Sequence, residues 1–223
     1  MMAFALTALP STAQNYRNSK YYNPRTGHLD YRHNNNSSRR NFSDAYFGFR
    51  IGPAFSHVSS DDSRLDGGEW KTGLNVGVVA GIPLTYQYPL YLETGLSYIE
   101  KGGKKDQTSG KKMTYSLNYL EIPVVLKYKY NVDDHFSIQP QVGGYFAAGV
   151  GGKIKNYGDR DVQSSFNKEN FQRFDGGLRF GCGIGYDMFY ADVTYDLGLA
   201  NICHDTFDTS RNGSLQVNFG VNF

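Results

Sequence analysis

The side chains best suited to nucleophilic chemistry form two short clusters in the sequence. His57, Ser59 and Asp61 make up one, and the adjacent residues His204 and Asp205 make up the other. A histidine near a serine can act as the base that activates its hydroxyl as a nucleophile. Polar residues of this kind are also ordinary in loops, so we predict no catalytic residue and keep an enzyme as the alternative.

Two glycine-containing segments superficially resemble nucleotide-binding loops. Gly181, Gly183 and Gly185 recur at every second residue with no helix after them, whereas a dinucleotide-binding loop opens a helix. Gly110-Lys111 lacks the earlier glycine and the following Ser or Thr of a phosphate loop. No set of His, Cys or carboxylate side chains has the spacing of metal ligands. We therefore predict no cofactor and no metal site.

The composition points away from nucleic acid and towards strands. A formal charge of +2 is too small to suggest a nucleic-acid partner. The chain has 26 Gly, 18 Tyr and 15 Phe, a usage that favours strands and barrels. Its two cysteines, Cys182 and Cys203, are too few for a disulfide framework, and we predict no bond between them.

Apolar residues recur with period two in eight segments between Tyr46 and Phe223. In the first segment Phe47, Phe49 and Ile51 alternate with Gly48 and Arg50, as in a strand with one face in an apolar medium. Segments of about ten residues match tilted transmembrane strands. We predict an all-β fold over residues 46–223, an eight-stranded antiparallel up-and-down transmembrane β-barrel.

The connections between the segments alternate in length. Short ones follow the second, fourth and sixth segments, around 87–89, 131–135 and 187–188, and longer polar ones follow the others. Outer-membrane barrels have short periplasmic turns and longer external loops. We therefore expect an integral outer-membrane protein of a Gram-negative bacterium, with outer-membrane lipid around it and both ends of the barrel on the periplasmic side.

The composition of the polar face decides which face of each strand is turned inward. A soluble, periplasmic ligand-binding barrel would also alternate, but with its apolar face inside. The polar face here is crowded with glycine, which makes room for long side chains in a narrow lumen. These glycines are Gly48, Gly52, Gly77, Gly81, Gly95, Gly143, Gly177, Gly181, Gly183, Gly185 and Gly220. We predict that the polar face lines the lumen.

Charged residues on the polar face predict ion pairs in the barrel interior. If Asp187-Met188 is a two-residue turn, antiparallel counting places Arg179 opposite Asp196. A less secure count sets Glu93 opposite Lys127. Eight strands leave no aqueous channel, so we expect a neutralised plug, with a charged path as the alternative. Further lumen charges are predicted at Arg50, Glu121 and Asp192.

A basic segment follows the third strand pattern. It contains Lys101, Lys104, Lys105, Lys111 and Lys112 and should face outward, where the phosphates of lipopolysaccharide are available partners. A solvated loop without a ligand is the alternative.

The first 45 residues show no strand pattern. Residues 1–13 look like the apolar core and small-residue cleavage site of a signal peptide, without its charged start. Residues 14–45, rich in Asn, Arg, Tyr and Ser, are predicted to be a disordered periplasmic leader.

Several stretches resemble the porin-family or PorT-like outer-membrane β-barrel domain. They are LNYLEIPVVLKYKY (117–130), PQVGGYFAAGVGG (140–152), and YDLGLANI (195–202) together with the terminal LQVNFGVNF. The resemblance implies an eight-stranded membrane barrel, brings no catalytic residues, and includes members that take part in protein secretion. Phe219, Val221 and Phe223 look like the signal read by the barrel-assembly machinery.

Together these patterns predict a non-enzymatic outer-membrane barrel with a plugged polar lumen. Its role would be structural, adhesive or secretion-accessory, exerted through the external loops, with protein partners unknown. A lipid-modifying enzyme with rim residues and a soluble periplasmic binding barrel are the alternatives.

Overall fold

The structure is a computed structural model that describes residues 45–60, 67–85, 87–106, 112–155, 163–166, 172–202 and 210–223. The chain divides into two compact units, Met1–Arg40 and Asn41–Phe223, and every described residue belongs to the second. The predicted signal peptide and all but the last residue of the predicted leader lie outside the described residues.

The strands of the second unit form one closed antiparallel barrel. Eight strands make up its wall, and their closure is completed by pairing of the first with the last. They are β1 (Tyr46–Ser60), β2 (Gly67–Pro83), β3 (Leu90–Asp106), β4 (Lys112–Tyr128), β6 (Phe136–Gly151), β9 (Phe174–Tyr186), β10 (Phe189–Gly198) and β11 (Ser210–Asn222). Three short strands, β5 (Tyr130–Asn131), β7 (Lys153–Lys155) and β8 (Gln163–Ser164), extend the sheet. The predicted eight-stranded antiparallel barrel is confirmed.

The strands on one side of the barrel are longer than the sequence pattern suggested. β2, β3 and β4 each have 17 residues, against about 10 needed to cross a membrane with tilt. The additional residues lie at the end of the barrel that carries the long connections. The inner face is itself apolar there, with Ile99 and Leu117 buried, so the alternation of outer apolar and inner polar residues is lost although the hydrogen-bonded ladder continues to Asp106 and Lys112.

Side chains alternate strictly between an exposed apolar face and a buried face. In β4, Ile122, Val124 and Leu126 are exposed, whereas the intervening Pro123 and Val125 are buried. Exposed apolar side chains on all eight wall strands form a continuous outer band, the arrangement expected of a surface that contacts acyl chains. The described residues contain no helix that is long and apolar enough to cross a membrane.

Aromatic side chains border this band at the end that carries the short turns. The exposed members are Phe47, Tyr128, Tyr130, Tyr186, Phe189 and Phe223, and Phe136 is partly exposed. Amphipathic and bulky rings are typical of the boundary between lipid and water.

The narrow interior leaves little room for side chains on β9. A Cβ atom built on Gly183 would overlap the Tyr190 ring, and one on Gly181 would overlap Thr194. The glycine column of β9 therefore makes space for the large side chains of β10. Between these glycines, Cys182 is a free cysteine on the outer face, and Cys203 lies outside the described residues.

Two of the short turns are joined by a polar contact. Asp187, with a left-handed φ of 52°, begins the two-residue turn that pairs Tyr186 with Phe189. Its Oδ1 lies 2.7 Å from His135 Nδ1 in the neighbouring turn. Asp133 accepts backbone hydrogen bonds from His135 and Phe136, and these lower its pKa.

Asp187→Asn is expected to lower the pKa of His135. The side-chain hydrogen bond and the charge of Asp187 raise this pKa above its ordinary value. The contact therefore stabilises the fold at pH values below the ordinary histidine pKa, and its contribution is lost as the pH rises through the raised value. An NMR titration of the histidine ring in both proteins measures the shift. Equal histidine pKa values in the two proteins would contradict the contact.

Candidate functional site in the barrel interior

The centre of the lumen is organised by a two-point ion pair between β9 and β10. Arg179 lies opposite Asp196 in the strand register, as the counting from the Asp187-Met188 turn places it. Arg179 Nε is 2.6 Å from Asp196 Oδ1, and its terminal nitrogen is 2.8 Å from Oδ2. Both side chains are buried. A two-point contact of this kind fixes the guanidinium in position.

Two further charged residues complete this central cluster. Glu121 on β4 accepts a hydrogen bond from Arg179 and contacts Lys101 Nζ at 2.7 Å. Lys101 Nζ also lies 3.3 Å from Asp196 Oδ2 and 4.0 Å from the centre of the Tyr145 ring. Lys101 and Glu121 are 0 % exposed, so their charges are balanced entirely within the protein.

The assignment of Lys101 to an external basic loop is wrong. Lys101 lies within β3 on the inner face, because β3 continues to Asp106 instead of ending near Tyr98. Lys104 also lies in β3, on its outer face. The strand bounds place Lys105 in β3 and Lys112 in β4, and Lys111 lies outside the described residues.

Asp175 is a central acidic residue that the sequence analysis did not single out. Its Oδ2 lies 3.7 Å from Lys101 Nζ and accepts a hydrogen bond from Asn212 at 2.9 Å. The Tyr145 hydroxyl is within 3.4 Å of both carboxylate oxygens. The cluster thus combines two basic residues with Glu121, Asp175 and Asp196.

A second cluster lies nearer the short turns. Lys127 Nζ is 2.6 Å from Glu93 Oε2, and both side chains are buried. The predicted register of this pair is wrong, because Glu93 lies opposite Val125 and Lys127 opposite Tyr91. The long lysine side chain spans the two-residue offset along the strands. The diagonal geometry therefore still brings the two charges together.

Arg50 and Tyr190 enclose the Glu93–Lys127 pair. The Arg50 guanidinium lies 3.9 Å from the centre of the Tyr190 ring and 3.7 Å from Glu93 Oε2. It also donates to the Asn222 side chain at 2.6 Å, which ties β1 to the end of β11. Lys127 Nζ donates to the Tyr190 hydroxyl at 2.9 Å. This second cluster closes the lumen towards the short turns.

Amides and one carboxylate connect the two clusters. Asp192 accepts hydrogen bonds from Asn218 at 2.8 Å and Gln141 at 3.2 Å. Gln216 donates to Asp196 at 2.7 Å and accepts from Asn75 at 2.9 Å. A cavity of about 30 Å³ remains between the clusters, large enough for roughly two water molecules.

The buried charges balance in number. Among the described residues, the buried basic residues are Arg50, Lys71, Lys101, Lys127 and Arg179, and the buried acidic ones are Glu93, Glu121, Asp175, Asp192 and Asp196. Five positive and five negative groups give a formal sum of zero. The buried groups therefore present no excess of either charge along the barrel axis.

An apolar cluster fills the lumen towards the long connections. It includes Ile99 and Leu117 from the wall strands and Phe166 and Ile202 from the connections, all buried. The Phe166 ring packs edge-on against Tyr119 with 5.5 Å between ring centres. The described interior therefore contains a charged layer and an apolar layer in series.

Of the residues considered for nucleophilic chemistry, the structure describes two, and neither enters the lumen. His57 and Ser59 lie on the outer face of β1, where the His57 ring packs against Trp70 with 4.6 Å between ring centres. Asp61, His204 and Asp205 lie outside the described residues. No group of three or more His, Cys, Asp or Glu side chains in the described part of the chain could hold a metal ion.

The residues of the predicted assembly signal all lie on the outer face at the end of the chain. Phe219 and Phe223 are strongly exposed and Val221 is partly exposed on β11 or immediately after it. They belong to the apolar band and its aromatic border.

A closed eight-stranded wall, an apolar outer band and a charge-balanced interior define a membrane-spanning β-barrel. The family model described as "Outer membrane protein beta-barrel domain" matches residues 13–204. The chain belongs to this family, and its place is the outer membrane. No curated protein sequence matches the chain.

The chain is also similar, at low sequence identity, to several solved structures of outer-membrane proteins. Ail, the attachment invasion locus protein of Yersinia pestis, in complex with the heparin analogue sucrose octasulfate, is 15% identical with a TM-score of 0.43, and the match covers 81% of this chain and 99% of that one. Neisserial surface protein A is 15% identical with a TM-score of 0.49, covering 81% and 99%. OprG from Pseudomonas aeruginosa is 14% identical with a TM-score of 0.49, covering 81% and 97%.

Proposed function

We propose that this protein is a non-enzymatic, PorT-like member of the porin family that acts through its surface and not through a pore. Its role is structural, adhesive or secretion-accessory, carried by the end of the barrel with the long connections. The observation that supports this proposal is the filling of the described interior, where Arg179 and Lys101 are paired with acidic residues and Phe166 and Ile202 belong to an apolar cluster.

Planar-bilayer recordings test the blocked lumen. The wild-type protein is expected to give no conductance steps large enough for a hydrated sugar, because buried side chains fill the described lumen and the cavity of about 30 Å³ between the two charged clusters holds only water-sized molecules. A large-pore porin inserted into the same bilayers is the control for detection. Sugar-sized steps from the wild type would overturn the plug.

The proposal includes an orientation with the short turns, the N-terminal leader and the C-terminus in the periplasm. The support is a difference between the two ends of the barrel. One end has tight turns, including the two-residue turn at Asp187-Met188, and at the other end β2 and β3 extend beyond the length needed to cross the membrane. An epitope tag inserted after Gly110 should be accessible to antibody on intact cells, whereas a tag after Asp187 should not. The reverse labelling pattern would refute the orientation.

Biogenesis follows from the same proposal. Residues 1–13 belong to a signal peptide in a Gram-negative cell, and Phe219, Val221 and Phe223 are recognised by the barrel-assembly machinery. Phe223→Ser is expected to reduce the amount of folded barrel in the outer membrane, measured as heat-modifiable protein on gels. An unchanged amount of folded barrel would contradict the proposed role of Phe223 in assembly.

The enzyme alternative depends on His57, which lies two residues from Ser59 on the outer face. In the proposed function His57→Ala leaves the lipid A species of the cell unchanged. Mass spectrometry of extracted lipid A would reveal a lost modification and so favour the enzyme.

A further inference from the structure

Three lysines form a patch on the outer face of the sheet near the long connections. Thr114 on β4 lies opposite Lys104 of β3 on one side and opposite Lys155 of β7 on the other. Neighbouring strands are about 4.8 Å apart, so the Cα atoms of Lys104 and Lys155 are separated by about 10 Å. Lys153 is two residues from Lys155 on the same face, at about 7 Å. We call Lys104, Lys153 and Lys155 the lysine patch.

The packing of β7 fixes the direction of the two outer lysines. Ile154 lies between them, pairs with Tyr115 and is buried in the apolar cluster of the lumen. Lys153 and Lys155 therefore point to the opposite face, where both are exposed. Lys104 is partly exposed, and Glu69 lies opposite it in the strand register.

The patch lies just beyond the apolar band. On β4 the exposed apolar residues end at Leu120, and Asn118 is the first polar residue, hydrogen-bonded to the Tyr98 hydroxyl at 2.8 Å. A tilted strand rises about 2.4 Å per residue along the membrane normal. Continuing the register from Thr114 and Tyr115 sets Lys153 two residues, and Lys155 and Lys104 four residues, beyond the level of Asn118. With a height change of about 3 Å between neighbouring tilted strands, the three Cα atoms lie about 2 to 13 Å above Asn118.

These heights span the headgroup layer of the membrane and the water just above it. The polar layer on each side of a bilayer is about 5 to 8 Å thick. Lysine side chains are flexible and place their charge several ångströms from the backbone, so all three ammonium groups can reach that layer. The opposite end of the barrel has the contrary charge, with exposed Asp133, Asp134 and Asp187 in its turns.

We propose that the lysine patch binds the phosphate groups of the outer-leaflet glycolipid, lipid A. Ammonium groups bind phosphate as point charges, and three of them with Cα atoms within about 12 Å can contact two phosphates of one lipid or of neighbouring lipids. This proposal rests on the orientation proposed above, which sets the patch in the outer leaflet. It replaces the basic loop of the sequence analysis with a defined surface from which Lys101 is excluded.

Equilibrium titration of the full chain with fluorescent bis-phosphorylated lipid A in neutral detergent micelles tests the patch. The variant K104Q/K153Q/K155Q should bind about 100-fold more weakly, because each lysine near an anionic surface contributes about a factor of five. The matched variant K104R/K153R/K155R keeps the charge and should stay within a few-fold of wild type. The wild-type protein should bind dephosphorylated lipid A weakly. Its affinity should be similar to that of K104Q/K153Q/K155Q for bis-phosphorylated lipid A.

Three outcomes would overturn the proposal. The first is equal affinity of the wild type and the glutamine variant for bis-phosphorylated lipid A. The second is loss of binding to a sulfated polysaccharide with lipid A binding unchanged, which would assign the patch to a soluble polyanion. The third is full competition by millimolar inorganic phosphate, which would indicate a site for the free ion. Heat-modifiable migration on gels verifies that each variant is folded.

The micelle titration is independent of orientation in the cell. If the lysine substitutions leave lipid A binding unchanged but the tags are labelled as expected on cells, the lysine patch alone is rejected. If lipid A binds as expected but the tags show the reverse labelling, the orientation alone is rejected.

Discussion

Replacing Arg179 with methionine is expected to destabilise the barrel by about 3 to 5 kcal/mol, the usual cost of removing one partner from a buried ion pair. The central cluster has two basic and three acidic residues, and Arg179 bonds to two of the three acids. In the variant Lys101 alone would face Glu121, Asp175 and Asp196 in a site that excludes bulk water. Methionine fills part of the volume but supplies no charge.

Urea unfolding in lipid vesicles, followed by the fluorescence of Trp70, measures this effect. Adding E121Q and D196N to R179M leaves Lys101 facing Asp175, one positive and one negative group, and should restore much of the lost stability. Arg173→Met is the matched control, because Arg173 is exposed and donates to one backbone carbonyl, that of Gly149. A loss below about 1 kcal/mol for R179M, the range of a solvent-exposed ion pair, would contradict a buried central cluster that stabilises the barrel.

The sequence predicts the barrel because the membrane imposes the same rule on every strand. Each wall strand must present apolar residues to lipid at every second position, so Phe47, Phe49 and Ile51 identify both a strand and its outer face. The tight Asp187-Met188 turn fixes the register of β9 against β10, which makes the facing residues of that hairpin computable by counting.

Other parts of the interior escape this rule because the lumen is not uniformly polar. Ile99 and Leu117 point inward and pack with Phe166 and Ile202, so apolar residues occur on both faces near the long connections. The period-two signal weakens there, and the sequence therefore suggests that β3 ends before Lys101. Phe166 and Ile202 come from connections, whose contacts depend on the closed barrel and not on local pattern.

The Glu93–Lys127 pair shows a different limit. The turn between β3 and β4 lies outside the described residues, at 107–111, and the opposite ends of these strands offer no two-residue turn from which to count. Counting from strand ends of uncertain position gave a register two residues off. A long lysine side chain can span such an offset. A contact between long charged side chains can therefore be predicted correctly even when the predicted strand register is two residues off.

Placing an arginine at Val124 is expected to cost about 2 to 4 kcal/mol of stability, the range measured for basic residues at the membrane midplane. Val124 lies on the outer face of β4, halfway between Tyr128 at one border of the apolar band and Leu120 at the other. Burying a guanidinium among acyl chains leaves its five donors without partners. Urea unfolding in vesicles of fixed lipid composition gives the free-energy difference from wild type.

The same substitution at Tyr128 provides a depth control on the same strand and face. Val124 and Tyr128 are both 39% exposed, so solvent-accessible area alone would predict similar effects. Near the interface an arginine costs only about 0 to 1 kcal/mol, because its side chain reaches the headgroups. A loss of stability at Val124 that is several times the loss at Tyr128 would therefore indicate that lipid contacts the outer face. Equally small losses of stability at both positions would mean that water surrounds this band.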